Sequence, residues 1–214
     1  MNGFQIPGNE EFKRRIELYE RNERRGPDYF RALNYISQTW GNPNEMAEGI
    51  KLLLHSWHWN FYRFGDFDFD KLRNCIETNL QIIARFKDRD IYTLLNSEEP
   101  EIKELFNQFL DALQGGKRKS PVAVAKALHL LAPGFFPLWD NDIALEYGYV
   151  WNIPGIQAPA ELFAASDYLS FCWKMKEMAE GVKDFVPNAD DRSLLKRIDE
   201  YNFARFSRFA AGWK

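Results

Sequence analysis

The stretch KRKSPVAVAKALHLLAPGFFPLWDND, residues 117–142, decides how the rest of the chain reads. It opens on three cations. Ser120-Pro121 then makes a strong helix start, because a serine oxygen caps free amides and a proline pre-sets the first turn. Val122, Ala125, Leu128 and Ala132 form one apolar face, and Val124, Ala127 and Leu131 widen it until the helix is apolar nearly all round. A helix of that kind belongs inside a core. Pro133-Gly134 and Pro137 end it and turn the chain toward Trp139-Asp140-Asn141-Asp142.

Working outward, the chain reads as helices nearly throughout. NEEFKRRIELYERNERR (9–25) spaces Phe12, Ile16 and Tyr19 along one face, and GPDYFRALNYISQTWG (26–41) has Pro27 in its first turn and Gly41 at its exit. One helix is expected over 42–65, from the Asn42-Pro43 cap to Gly65. DFDKLRNCIETNLQIIARF (68–86) brings Leu72, Ile76, Leu80 and Ile83 to one side. EEPEIKELFNQFLDALQGG (98–116) starts in acids and ends in two glycines, as the helix dipole favours. A short helix follows at about Asp140 to Tyr147, and segments 159–181 and 190–209 close the chain. DRDIYTLL (88–95) is the best strand candidate but is too short and isolated to build a sheet. The expected fold is a single all-α domain over 1–214, with about eight to ten helices. Pauses at 96–101 and 152–160 mark where two lobes would meet.

Composition sets outer limits. The chain is 45% apolar and 16% aromatic over 214 residues, ample for a large core, and 28% charge excludes a generally disordered chain. No apolar run approaches the roughly 20 residues of a bilayer span, so no membrane association is expected. The start MNGFQIPGNEEFKRR lacks the order of a secretory signal. Cys75 and Cys172 read as buried thiols of a reducing compartment, so the cytoplasm is the expected location. Net charge of −3 argues mildly against a protein that coats nucleic acid, though screening over about 10 Å leaves room for a local basic patch. His55, His58 and His129 match no zinc spacing, and neither a Walker loop, a GxSxG nor a GxGxxG is present. No metal and no cofactor is expected.

The candidate chemistry centres on residues 115–142. Gly115, Gly116, Lys117, Arg118 and Lys119 run into the helix start at Ser120, presenting amides and cations together; this suits phosphate and equally suits a solvated loop. Lys126, on a buried helix, must snorkel, pair or sit in a cleft, and Asp140 or Asp142 is its expected partner. His129 shares its face, as a hydrogen-bonded core histidine or as a substrate contact. Trp57, Trp59, Phe61, Tyr62 and Phe64 crowd one segment and spread around a helix, some to the core and some to line a pocket with Trp139. Asn60 and Arg63 are candidate hydrogen-bonding groups there. Tyr201 and Asn202 form a second candidate cluster, with Asp199 and Glu200 expected to face solvent. Arg197, Arg205 and Arg208 suit either phosphate contact or pairing along the helix.

Helix, basic glycine loop, helix with a lysine, then a turn to an aspartate that opens the next helix: this order resembles the core of helix-hairpin-helix base-excision DNA glycosylases. The likeness rests on residues 115–142 of the 214. It implies an all-α fold in which 115–120 grips DNA phosphate, Lys126 holds the place of the lysine that attacks the sugar, and Asp140 stabilises the sugar cation or activates water. It departs from the family at two points: GGKRKSP stands where a G-x-G hairpin is usual, and the lysine-to-aspartate interval is short. The run KALHLLAPxxFPLWD also resembles small bacterial helical proteins related to this superfamily, some of them phage-defence glycosylases that remove modified cytosines, including glucosylated hydroxymethylcytosine. The implied partner is DNA or a nucleoside, and the expected state is a monomer. Two other readings stand beside this one: a helical ligand- or protein-binding module with Lys126–Asp140 as a structural ion pair, and a small-molecule hydrolase using Asp140 and Asp142 as acid and base.

Overall fold

A computed structural model describes residues 4–24, 26–63, 65–149, 161–186 and 192–213, with backbone alone at 161–163. Among them the chain is all-α. Ten α-helices and four short 3-10 helices are present, and the only strand-like pairing is one isolated bridge between Gly115 and Arg118.

The apolar helix foreseen around Lys126 is the centre of the molecule. Helix α7 (Pro121–Leu131) has every one of its residues buried, and four helices surround it: α2 (Gly26–Gln38), α3 (Pro43–Trp57), α6 (Glu99–Ala112) and α9 (Glu161–Val182). The α2–α3 pair is close because Gly49 faces Ile36, where any Cβ would collide. Helix α5 (Phe69–Lys87) bridges α3 and α6, while α1 (Asn9–Asn22) lies along α10 (Leu194–Phe206) and so joins the two ends of the chain. Polar caps set several starts. Asn42, Asp68, Ser120, Asp140 and Ser193 each accept a backbone amide in the first turn of the following helix, worth about 1 kcal/mol apiece.

One expectation is corrected. The helix over 42–65 breaks at His58, whose φ of −136° ends α3 and lets α4 (Trp59–Tyr62) restart in a new direction. At the break the His58 ring stacks on Phe61, 5.1 Å between centroids, and one tertiary bond holds it, Nε2 lying 2.8 Å from Ser120 Oγ. DRDIYTLL, too short for a sheet, forms a 3-10 turn at Ile91–Thr93. Across 96–101 the core is continuous, since Ile91 and Leu94 before it and Ile102 and Leu105 after it share one cluster; 152–160 lies outside the described residues. No helix among those described is long and apolar enough to cross a membrane.

Candidate active site

The chain reaches the site by doubling back along α7. After Gly134 the segment 135–139 is tied to that helix at both ends. His129 Nδ1 donates to Phe136 O at 2.8 Å, and Trp139 Nε1 donates to Pro121 O at 3.3 Å. The second bond lands at the start of α7, so the next residue, Asp140, enters the same cleft as Lys126. Asp140 then caps α8 (Asn141–Glu146), with Oδ1 accepting from Ile143 N at 2.8 Å.

The cleft has a volume of about 300 Å³. Trp57 and Trp139 make its apolar walls, and Trp59, at 53% exposure, stands at the rim with Asn60. Asp140 is half-buried there. Its carboxyl is pushed above the ordinary carboxylate range by burial, against the Ile143 amide and the Lys126 cation and with the help of the Asp199 and Asp142 charges. Lys126 is buried, donates to Trp57 O at 3.1 Å, and holds its ammonium 5.8 Å from the Trp57 ring centre. Asp142 accepts from Arg208 N at 2.9 Å, with Arg208 Nε at 3.4 Å. The two aspartates thus have different partners and different directions. Among the described residues, no three His, Cys, Asp or Glu side chains converge as metal ligands.

Trp57, Trp59, Asn60, Lys126, Trp139, Asp140 and Asp142 are therefore brought together. Other candidates are not. His129 is fully buried, donates to Phe136 O, and so must accept from the Tyr29 hydroxyl at 2.9 Å through Nε2. It is neutral, its pKa pushed down to about 4 by burial, and its part is to hold the return of the chain. Tyr201 and Asn202 also lie away from the cleft. Tyr201 packs 5.3 Å from Phe12, and Asn202 accepts from Tyr147 Oη at 2.9 Å. On α10 it is Asp199 and Phe203, one turn apart, that face the cleft, and residue 201 lies about 200° round from residue 199.

Asp199 and Glu200 do not face solvent; they are 8% and 2% exposed. Lys196 Nζ meets them at 2.8 and 3.5 Å and Tyr19 Oη at 3.4 Å. Arg197 takes Glu200 at 3.0 Å and Glu20 of α1 at 2.7 Å. Pairing, not phosphate contact, occupies Arg197. Burial works against the Lys196 charge, yet Asp199, Tyr19 and Glu200 hold its pKa well above the ordinary lysine value.

The basic loop becomes a tight hairpin between α6 and α7. Gly115 N donates to Arg118 O at 2.9 Å and Arg118 N to Gly115 O at 3.0 Å, with Gly116 at φ +60°. A Cβ at Gly115 would come within 2.7 Å of Gly65 O, so the hairpin can sit against α4 only with glycine there. Lys117 and Arg118 are exposed. Arg118 Nη2 donates to Phe61 O at 2.6 Å, and Lys119 pairs with Asp111 at 2.6 Å. Ser120 caps α7 through Ala123 N at 3.2 Å and is buried by the His58 ring. Arg63 is exposed at the C-cap of α4, 5.6 Å from the Trp59 ring. Arg63 and Arg118 lie by the Trp59 and Phe61 rings, and none of these cations lines the cleft.

His58 and Tyr19 line the cleft but carried no sequence signal beyond their aromatic neighbourhood. Burial and then the Lys126 charge push the His58 imidazole down to about 3, and burial pushes the Tyr19 phenol up to about 12. Both are neutral near pH 7. No protein-family model matches the chain, and neither does any curated protein or solved structure.

Proposed function

We propose that this cleft hydrolyses the N-glycosidic bond of a base drawn out of DNA, a modified cytosine being the class implied by the likeness to helix-hairpin-helix glycosylases. The observation that carries the reading is the Asp140 carboxyl, half-buried in an aromatic cleft and held at the cap of α8. As the C1′–N bond breaks, its electron pair leaves with the base and positive charge grows on the sugar. A fixed carboxylate stabilises that charge, and water then adds to C1′ while Asp140 takes its proton. A volume of about 300 Å³ lies at the small end of ligand sites, near ~300–1,000 Å³, and fits a single flipped nucleoside rather than a longer segment. Trp59 at the rim offers a stacking face, worth roughly 1–3 kcal/mol per base. Arg118 and Arg63 beside that rim suit the flanking phosphates, while the carboxylates stay inside, with the sugar. Lys126, engaged with Trp57 O, supports the site by opposing the rise that burial imposes on Asp140.

The test is incubation of wild type and Asp140→Asn with a panel of normal and modified DNAs, scored for abasic sites. Asparagine also caps helices, so the fold is retained. Wild type should release a base, and the variant should lose on the order of 10²–10³ in rate. Undiminished release by the variant, or no release from any substrate by wild type, would sink the proposal.

A further inference from the structure

A second cavity, of about 620 Å³, lies at the other end of α8. That helix finishes in a Schellman turn: Gly148 N donates to Leu145 O at 3.0 Å, Tyr149 N donates to Ala144 O at 2.9 Å, and Gly148 takes φ +88°. The turn lays Tyr147 against the cavity. Three cations from three different helices also reach it: Arg15 of α1, Lys174 of α9 and Arg205 of α10. Glu146 is the one carboxylate among its described lining residues.

Arg15 and Lys174 are incompletely matched. Arg15 Nη1 donates to Ala204 O at 3.1 Å, while its Nε is buried with no hydrogen-bond partner. Lys174 donates to Tyr147 O at 2.9 Å and stands 4.6 Å from the Tyr149 ring centre, and burial lowers its pKa. Arg205 donates to the Tyr201 hydroxyl, with Glu11 3.8 Å away. A buried donor left unmatched is costly, and an anion entering the cavity offsets that cost. The forked guanidinium groups match the geometry of a phosphate. Beside them Tyr147 packs against Phe4 and Phe206, at 6.0 and 5.9 Å, to make an aromatic wall for a planar ring.

We propose that this cavity binds a small ring-bearing phosphate of the nucleoside monophosphate class, at a site separate from the Asp140 cleft. The arrangement asks for both halves of such a ligand, since the cations and the rings border one space of suitable size.

Calorimetric titration of the full chain with a purine nucleoside 5′-monophosphate, the uncharged nucleoside and inorganic phosphate tests it. The monophosphate should bind at least tenfold more tightly than either fragment. Arg15→Gln and Lys174→Gln should each weaken it at least fivefold, and Arg205→Lys, which keeps the charge but loses the fork, should weaken it as well. Melting curves of these variants confirm that they fold. Asp140→Asn should bind it like wild type, which separates this site from the proposed catalysis. Loss of binding in Asp140→Asn, indifference to the three cation variants, equal binding of phosphate alone, or no measurable binding at millimolar concentration would each overturn it.

Discussion

Two lysines are buried beside Trp57, and they are held in different ways. Lys196, 5.4 Å from the ring centre, is fixed by Asp199, Glu200 and the Tyr19 hydroxyl. Lys126, 5.8 Å from it, donates to a backbone carbonyl and casts its charge on Asp140. The first is a structural charge whose neighbours have already neutralised it. The second acts on a carboxylate that borders open space. Burial alone does not mark a functional lysine; both carboxylates border the cleft, but Asp199 is bound 2.8 Å from Lys196 Nζ whereas Asp140 Oδ1 caps a helix.

The largest effect that breaks this comparison should come from Lys196→Met. It leaves Asp199 and Glu200 buried beside too little positive charge, and loss of one partner from a buried pair destabilises by about 3–5 kcal/mol. Urea unfolding measures it. If Lys126→Met proves equally destabilising, the distinction between the two lysines fails.

Acid should act on the same region next. His129 and His58 stay neutral in the fold, with pKa values lowered to about 4 and about 3. The unfolded chain takes up their protons near pH 6.5, so it binds more protons than the fold between there and about pH 4. The stability they contribute is whole above about pH 6.5 and is lost as pH falls through that window. Urea midpoints at pH 7, 6, 5 and 4 should decline in step, and His58→Gln should flatten the decline. An equal slope in that variant rules out His58 as a source.

The smallest effect sharpens the other half of the comparison. Because Asp140 is raised by burial, the acid limb of the proposed base release should lie above the ordinary carboxylate range. Lys126 opposes that shift, so Lys126→Met should move the limb higher still, whereas Asp142→Asn, which removes a like charge, should move it lower. A limb unmoved by Lys126→Met would separate the lysine from the carboxylate.

Several features were legible because they are local. Ser120-Pro121 starts α7, Asp140 opens α8, and the acids and glycines of 98–116 bound α6, each through bonds within a few residues. The return of Asp140 toward Lys126 was also legible, since Pro133, Gly134 and Pro137 force a turn. What misled was charge at helical spacing. Lys196, Arg197, Asp199 and Glu200 have the i, i+3 pattern of a solvated face, and nothing in that pattern says that α1 lies across it with Glu20. The aromatic run at 53–69 gave no hint of its break either, because the His58–Ser120 contact joins positions far apart in the chain.

By itself the amino-acid order determined that this is an all-helical chain built around one apolar helix, since hydrophobic period and capping chemistry act over a single turn or two. Which side chains border the cleft was decided only when the helices docked. Tyr201 and Asn202 turned inward, Asp199 and His58 turned to the cavity, and His129 became a brace for the returning chain. Those outcomes depend on the rotation of one helix against another, and that rotation is set by packing between residues distant in sequence.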